Sequence, residues 1–190
     1  ITEQLTQTII KKGKEYDGPV LIDPKGCDWT KYRGAYGITP NIKELSDVAG
    51  FIINNNDSDI ERIGRKVRET FQIENIFVTR SEKGITCINK NGSVHCASVA
   101  QDVFDVSGAG DTVMAVLAAA AAVNLDMMTT LELANTAAGI AVSRVGTYPV
   151  GHTEMIDAWC GSDMMRTAYI PISWEEAKNK VNTWKSQGET

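Results

Sequence analysis

Apolar residues recur along this chain in two rhythms, and the rhythm changes at polar breaks. Leu5, Ile9 and Ile10 fall at helical spacing within 2–14, which predicts an amphipathic helix. Asp17-Gly18-Pro19 ends it, and Val20-Leu21-Ile22 follows as a short apolar run suited to a buried parallel strand. Residues 36–39 read as a second strand, and 42–48 as a helix whose first turn is capped by Asn41, with Glu44 placed to complete a capping box. After the polar break at 54–57, Ile60, Ile63, Val67 and Phe71 share one face and predict a helix over 58–71. Residues 76–79 form a strand and 85–98 a hairpin, with Asn91-Gly92 as its two-residue turn. That register sets Cys87 directly across from Cys96.

The stretch Asp105-Val106-Ser107-Gly108-Ala109-Gly110-Asp111-Thr112 lies between an apolar approach, Val103-Phe104, and the long apolar run 113–123. It predicts a strand, a small-residue loop and the first turn of a helix whose alanines suit close packing on both sides. The first N–H groups of a helix have no partner inside it, and glycines let an anion approach them. Asp111 then stands where a reacting hydroxyl could meet it, an arrangement suited to phosphoryl transfer. A tight strand-to-helix turn accounts for a bare G-x-G equally well; the joint presence of Asp105, the glycines and Asp111 favours the chemical reading. The stretch is not a P-loop, because no Lys-Ser or Lys-Thr follows the glycines.

Beyond it, 131–144 predicts a helix rich in small residues, among them Ala134, Ala137, Ala138 and Gly139. The tail opens on the capping box Ser173 to Glu176 and carries Trp174, Ala177, Val181 and Trp184 on one face. Lys25, in the turn Asp23-Pro24-Lys25-Gly26 at a strand's carboxyl end, reads either as a phosphate contact or as a solvated turn residue. His95 and His152 are expected to be structural or surface groups without a partner.

Composition narrows the function classes. The chain has 190 residues, 43% hydrophobic and 23% charged, with a formal net charge of −5 and no long basic run, which argues against nucleic acid as a ligand. The apolar run 113–123 is too short to span a bilayer, which takes ~20 residues, and a cytoplasmic location with no membrane partner is expected. The four cysteines include no C-x-x-C, so free thiols are expected in a reducing compartment.

D-V-S-G-A-G-D-T resembles the C-terminal signature of the ribokinase-like (PfkB) carbohydrate kinases. The resemblance implies an α/β fold: a Rossmann-like, mostly parallel sheet flanked by helices, with a small β-hairpin, in an incomplete domain. It makes Asp111 the catalytic base and Gly108, Ala109 and Gly110 the anion hole. Asn41-Ile42-Lys43-Glu44 matches the family's N-x-x-E motif, through which Asn41 and Glu44 help organise Mg2+, largely by way of water, and the nucleotide phosphates. Thr79-Arg80-Ser81-Glu82-Lys83-Gly84 resembles the nucleotide-phosphate loop, with Ser81 where the family usually has glycine. Thr79, Arg80, Ser81, Glu82, Gly84, Ser107 and Asn135 are thereby implied to bind nucleotide, Asn135 near the adenine. Gly146-Thr147 belongs to the loop closing that pocket, and Asp105 is the implied ligand of a monovalent cation such as K+.

These motifs, with Asp23-Pro24-Lys25-Gly26 and Tyr32-Arg33-Gly34-Ala35, are most similar to the kinase part of the bacterial bifunctional heptose 7-phosphate kinase/heptose 1-phosphate adenylyltransferases. That likeness implies a C-terminal, nucleotide-binding part of a kinase domain over 1–170 and a linker helix over 171–190 leading to a further domain. It implies ATP, Mg2+ and a sugar phosphate as ligands, and a homodimer for the longer protein. Another sugar or nucleoside kinase of the same family, or a nucleotide-binding module without turnover, stays open as an alternative.

Overall fold

The computed structural model describes residues 2–100 and 103–167, with 161–167 as backbone alone. The chain divides into two compact units, Ile1–Met155 and Ile156–Thr190. The tail's capping box and tryptophan stripe, and the expected boundary at 170/171, lie outside the described residues.

The first unit is built on a five-stranded sheet in sequential order. Strands β1 (Leu21–Ile22), β2 (Gly37–Ile38) and β3 (Asn75–Thr79) run parallel, and β4 (Ile85–Asn89) and β5 (Gly92–Cys96) add an antiparallel hairpin. The helices are α1 (Glu3–Glu15), α2 (Ile42–Ala49), α3 (Asp57–Phe71), α4 (Ala109–Ala122), α5 (Met127–Val142) and α6 (His152–Thr167). This is the expected α/β arrangement, a parallel set of strands joined to a hairpin and flanked by helices.

The helix starts follow local chemistry. Asn41 Oδ1 accepts the Glu44 N–H at 2.8 Å while Glu44 Oε2 accepts the Asn41 N–H at 3.0 Å, so the predicted capping box is complete. Losing such a cap costs about 1 kcal/mol. Asn56 caps α3 through the Asp59 N–H at 2.8 Å, one residue earlier than the periodicity alone suggests.

The core has two parts. Ile38, Ile76, Val78 and Ile88 pack with Leu45 of α2 and Ile60, Ile63 and Val67 of α3. Phe77, Ile85 and Cys87 pack with Val113 and Leu117 of α4 and Leu131 and Ala134 of α5. Strand β3 therefore alternates between the two, as a strand's period of two requires.

Four expectations are corrected. The hairpin pairs Asn89 with Gly92 and Cys87 with Val94, so the turn residues are Lys90 and Asn91, and Cys96 faces Ile85. A two-residue slide keeps every side chain on its face, so core packing does not decide between the registers. The turn does: Asn89 Oδ1 accepts the Asn91 N–H at 2.8 Å, closing a local Asx turn. Val103 and Phe104 form no strand; they are exposed, and the Phe104 N–H donates to Val142 O at 2.8 Å, at the end of α5. Helix α4 is not packed on both sides: Val113, Leu117 and Ala120 are buried, while Ala115, Ala118, Ala119 and Ala122 are exposed. His95 does have partners, with Nδ1 3.0 Å from Thr86 Oγ1 and 3.3 Å from Arg80 Nη1.

The cysteines test this packing. Burial pushes the Cys87 thiol up to about 12, whereas Cys27 is exposed. At pH 8 a thiol reagent should label Cys27 within the mixing period and Cys87 only at the rate of global unfolding, since the thiolate is the reacting form. Labelling of Cys87 as fast as Cys27 would contradict its burial beneath α5.

Candidate functional site

The carboxyl ends of the three parallel strands are held level by main-chain hydrogen bonds. The Thr39 N–H donates to Ile22 O at 3.1 Å and the Thr79 N–H to Pro40 O at 2.9 Å. Asn41 forms a parallel bridge with Thr79. The start of α2, with Asn41 and Glu44, is thus adjacent to the start of the 79–84 loop. Crevices at such strand ends are where open α/β sheets bind ligands.

At this edge Lys25 Nζ lies 2.9 Å from both Asp23 Oδ2 and Glu44 Oε1. The hydrogen bond it donates to Glu44, then that to Asp23, holds the ammonium well above the usual lysine range. Glu44 accordingly has one oxygen on Lys25 and the other on the Asn41 N–H. Lys25 was legible as a candidate from its strand-end position; its pairing with Glu44 spans 19 residues and leaves no local signal.

The 79–84 loop turns through one 3₁₀ turn, Ser81–Lys83, closed by the Arg80 N–H on Gly84 O at 2.8 Å. Ser81 sits at φ +53°, in the left-handed region. A residue with a Cβ pays roughly 1–2 kcal/mol there, which explains why glycine suits this position in the sequences the loop resembles. Gly84, at φ +83°, packs so closely on the backbone of Cys96, Ala97 and Ser98 that no side chain fits. The Arg80 side chain points inward and is only 1% exposed, so it does not enter the crevice.

The second wall is the start of α4. Gly108 is the N-cap at φ +80°, where a Cβ would press on Thr147 Cγ2 at 3.0 Å. The Asp105 carboxylate accepts the Ser107 N–H and the Gly146 N–H, each at 2.9 Å; the Ser107 side chain first, and then these N–H groups, hold its carboxyl below the usual range. Asp105 therefore ties the 105–108 loop to the 146–147 loop. The Ala109 N–H bonds to Val106 O and the Thr112 N–H to Gly108 O. The N–H groups of Gly110 and Asp111 have no protein acceptor among the described residues. A Cβ on Gly110 would meet nothing within 4 Å, so the approach to these donors is open.

Between the two walls is a cleft of about 370 Å³. It brings together Thr79, Ser81, Glu82 and Gly84 from the first loop, Ala109 and Gly110 from the start of α4, and Asn135 from α5. Asn135 is buried, and its Nδ2 donates to Cys96 O at 2.9 Å and Ala97 O at 3.2 Å, fastening α5 to the end of the hairpin. Asn41, Glu44, Asp105, Ser107, Gly108 and Asp111 do not line this cleft; Asp111 follows the lining residue Gly110 and is exposed at the third position of α4. The apolar wall, Val103, Val106, Val113, Ala138 and Val142, was missed. Ala138 was legible only as a small residue for helix packing, and Val103 only as strand.

The donor set suits Mg2+ arriving with a phosphate ligand. Among the described residues there is no cluster of three or more His, Cys, Asp or Glu that could cage a metal. Mg2+ ordinarily keeps several waters and takes one or two carboxylates with substrate phosphates; Glu44, whose oxygens already accept from Lys25 and the Asn41 N–H, would support it through those waters.

The pfkB family carbohydrate kinase model matches residues 1–153. The bifunctional protein HldE of Methylobacillus flagellatus is 39% identical over 189 residues, covering 100% of this chain and 38% of that protein. HldE of Photobacterium profundum is 39% identical over 183 residues, covering 96% and 38%. The chain thus spans less than two fifths of the length of these relatives. Among solved structures, Arabidopsis thaliana ribokinase complexed with ribose and ATP superposes with a TM-score of 0.74 at 22% identity, over 83% of this chain and 53% of that one. Escherichia coli phosphofructokinase-2 in complex with potassium gives 0.73 at 14% identity, over 85% and 53%. These two likenesses establish the ribokinase fold. With the family match over most of its length and relatives aligned across nearly all of it, the chain belongs to the pfkB family of carbohydrate kinases.

Proposed function

We propose that this chain is the nucleotide-binding part of a kinase that transfers the γ-phosphoryl group of ATP to the anomeric hydroxyl of a heptose 7-phosphate, giving the 1,7-bisphosphate. The observation that carries the nucleotide reading is the single cleft that gathers Thr79, Ser81, Glu82, Gly84, Gly110 and Asn135 beside the open N–H groups of α4. The acceptor sugar rests on the similarity to the bifunctional heptose enzymes, supported by relatives 39% identical across the chain.

In this reading the apolar wall and Asn135 hold the base, and the 79–84 loop holds the phosphates. Asp111 orients the sugar hydroxyl and accepts its proton as the hydroxyl oxygen bonds to phosphorus. The bond from phosphorus to the β,γ-bridging oxygen breaks, and ADP leaves. The backbone N–H groups at the start of α4 stabilise the negative charge on the transferred phosphoryl oxygens. In a loose transition state proton transfer comes late, so the position of Asp111 matters more than its basicity. Asn41 and Glu44 would support Mg2+, largely through water, and the ion would supply charge neutralisation on the phosphates. K+ would lie beside the anion hole with an oxygen of Asp105, each of which already accepts one N–H and keeps a further lone pair. No helix among the described residues is long and apolar enough to cross a membrane; a cytoplasmic location is part of the proposal. A homodimer is the proposed state of the longer protein.

Calorimetric titration with ADP and Mg2+ should show one saturable site. Gly110→Val should abolish it while leaving the melting temperature within a few degrees, because the added side chain enters the open cleft and meets no protein atom at its Cβ. Unchanged binding by that variant would exclude the cleft. In the full-length enzyme, Asp111→Asn should lower kcat by about 10²-fold or more with little change in the KM for ATP. A fully active variant would remove Asp111 from the catalytic role.

A further inference from the structure

Arg80 is the cationic side chain that the family likeness places on the nucleotide, yet the fold turns it the other way. Its guanidinium is 1% exposed and has a partner on each of several elements. Nε donates to Asn55 Oδ1 at 2.8 Å, just before α3. Nη1 lies 2.6 Å from Asp57 Oδ1, at the first position of α3, and 2.9 Å from Thr86 Oγ1 on β4. His95 Nδ1, on β5, is 3.3 Å from Nη1 and 3.0 Å from Thr86 Oγ1. A guanidinium can only donate, and Nη1 carries two hydrogens, so Asp57, Thr86 and His95 crowd around a single donor nitrogen.

The main chain around this arginine is bolted as firmly. The Arg80 N–H closes the loop on Gly84 O, and Asn55 Nδ2 donates to Arg80 O at 3.3 Å. Lys83 Nζ returns to the carbonyl oxygen of Asn55. Asn55 and Arg80 therefore grip the loop at its start, and Lys83 ties its far side to the same point. An ion pair with one partner in water, as Asp57 is, contributes little to stability by itself. What this one supplies is position: a planar fork with several fixed partners allows one placement of the loop. The loop needs it, because Ser81 is held in a left-handed conformation that a side chain disfavours.

We infer that Arg80, clamped by Asp57 and Asn55, is a positioning residue for the nucleotide: it sets the 81–84 backbone against the phosphates without touching them. This rests on the nucleotide reading above and assigns a role to Asn55 and Asp57, which lie outside the cleft. Asp57 is the informative residue to change, because its side chain is 78% exposed and its removal leaves no cavity. Asp59 lies on the same turn of α3 and pairs with Arg62, Asn54 and Asn56 instead of Arg80, so it controls for general damage to the helix start.

The test is calorimetric affinity for MgADP together with amide exchange of 81–84 in the free protein, for the wild type, Asp57→Ala, Arg80→Lys and Asp59→Ala. Asp57→Ala and Arg80→Lys should each weaken binding about tenfold and speed exchange of 81–84. Asp59→Ala should lower the melting temperature comparably and leave the affinity within twofold of the wild type. Wild-type affinity and unchanged exchange in Asp57→Ala would overturn the inference alone, and so would equal weakening by Asp59→Ala. A wild type that binds no MgADP would overturn the nucleotide reading and this inference with it.

Discussion

Phe77 points into one half of the core and Ile76 and Val78 into the other, so a slide of β3 by one residue would exchange the Phe77 ring with these smaller side chains and misfill both halves. That constraint fixes where the strand ends. Thr79 comes last, paired with Asn41 across the sheet, and Arg80 is the first residue beyond it. The loop that follows is short, closed by one 3₁₀ turn and a glycine that lies flat on the hairpin's exit. The opposite wall depends on the same strand, since Phe77 packs with the residues of α4 and α5 that aim the start of α4 at this loop. Burying an aromatic ring of this size contributes roughly 1.5–3 kcal/mol.

The site is divided between two kinds of order. Its donors are main-chain groups on rigid element ends: the open N–H groups of Gly110 and Asp111, and the strand-end loop. Its charged side chains are largely committed to one another. Asp105 holds two loops together, Lys25 bridges Asp23 and Glu44, and Arg80 is enclosed by Asn55, Asp57, Thr86 and His95. A ligand bearing several negative charges would therefore be met by backbone dipoles in fixed positions more than by mobile cations. Such preorganised donors need no rearrangement when charge develops on the transferred group.

Local chemistry was the most legible part of the sequence. The capping box at Asn41 and Glu44 and the apolar face of α3 follow from residues a few positions apart, and they lie where the pattern puts them; in α1 only Ile10 of the predicted face is buried, and Leu5 and Ile9 are exposed. The gathering of Thr79, Ser81, Glu82, Gly84, Gly110 and Asn135 was legible only through motif likeness, because those residues meet across several elements. Three features were not legible for stated physical causes. Registers two residues apart keep the same face, so the hairpin was decided by the Asn89 turn. Val103 and Phe104 are apolar without a strand to pair with. The direction of Arg80 depends on Asn55 and Asp57, more than 20 residues earlier, and a motif gives a residue's place in the chain but not the rotamer its neighbours impose.

The central claim is that nucleotide lies between the 79–84 loop and the start of α4. Amide hydrogen exchange of this chain with and without MgADP tests it directly, residue by residue. The account predicts slowed exchange in 80–84 and 109–112, where ligand phosphates would engage the main chain, with little change in α1 or at the 89–92 turn. Binding accompanied by protection elsewhere, with 80–84 and 109–112 exchanging as in the free protein, would contradict it.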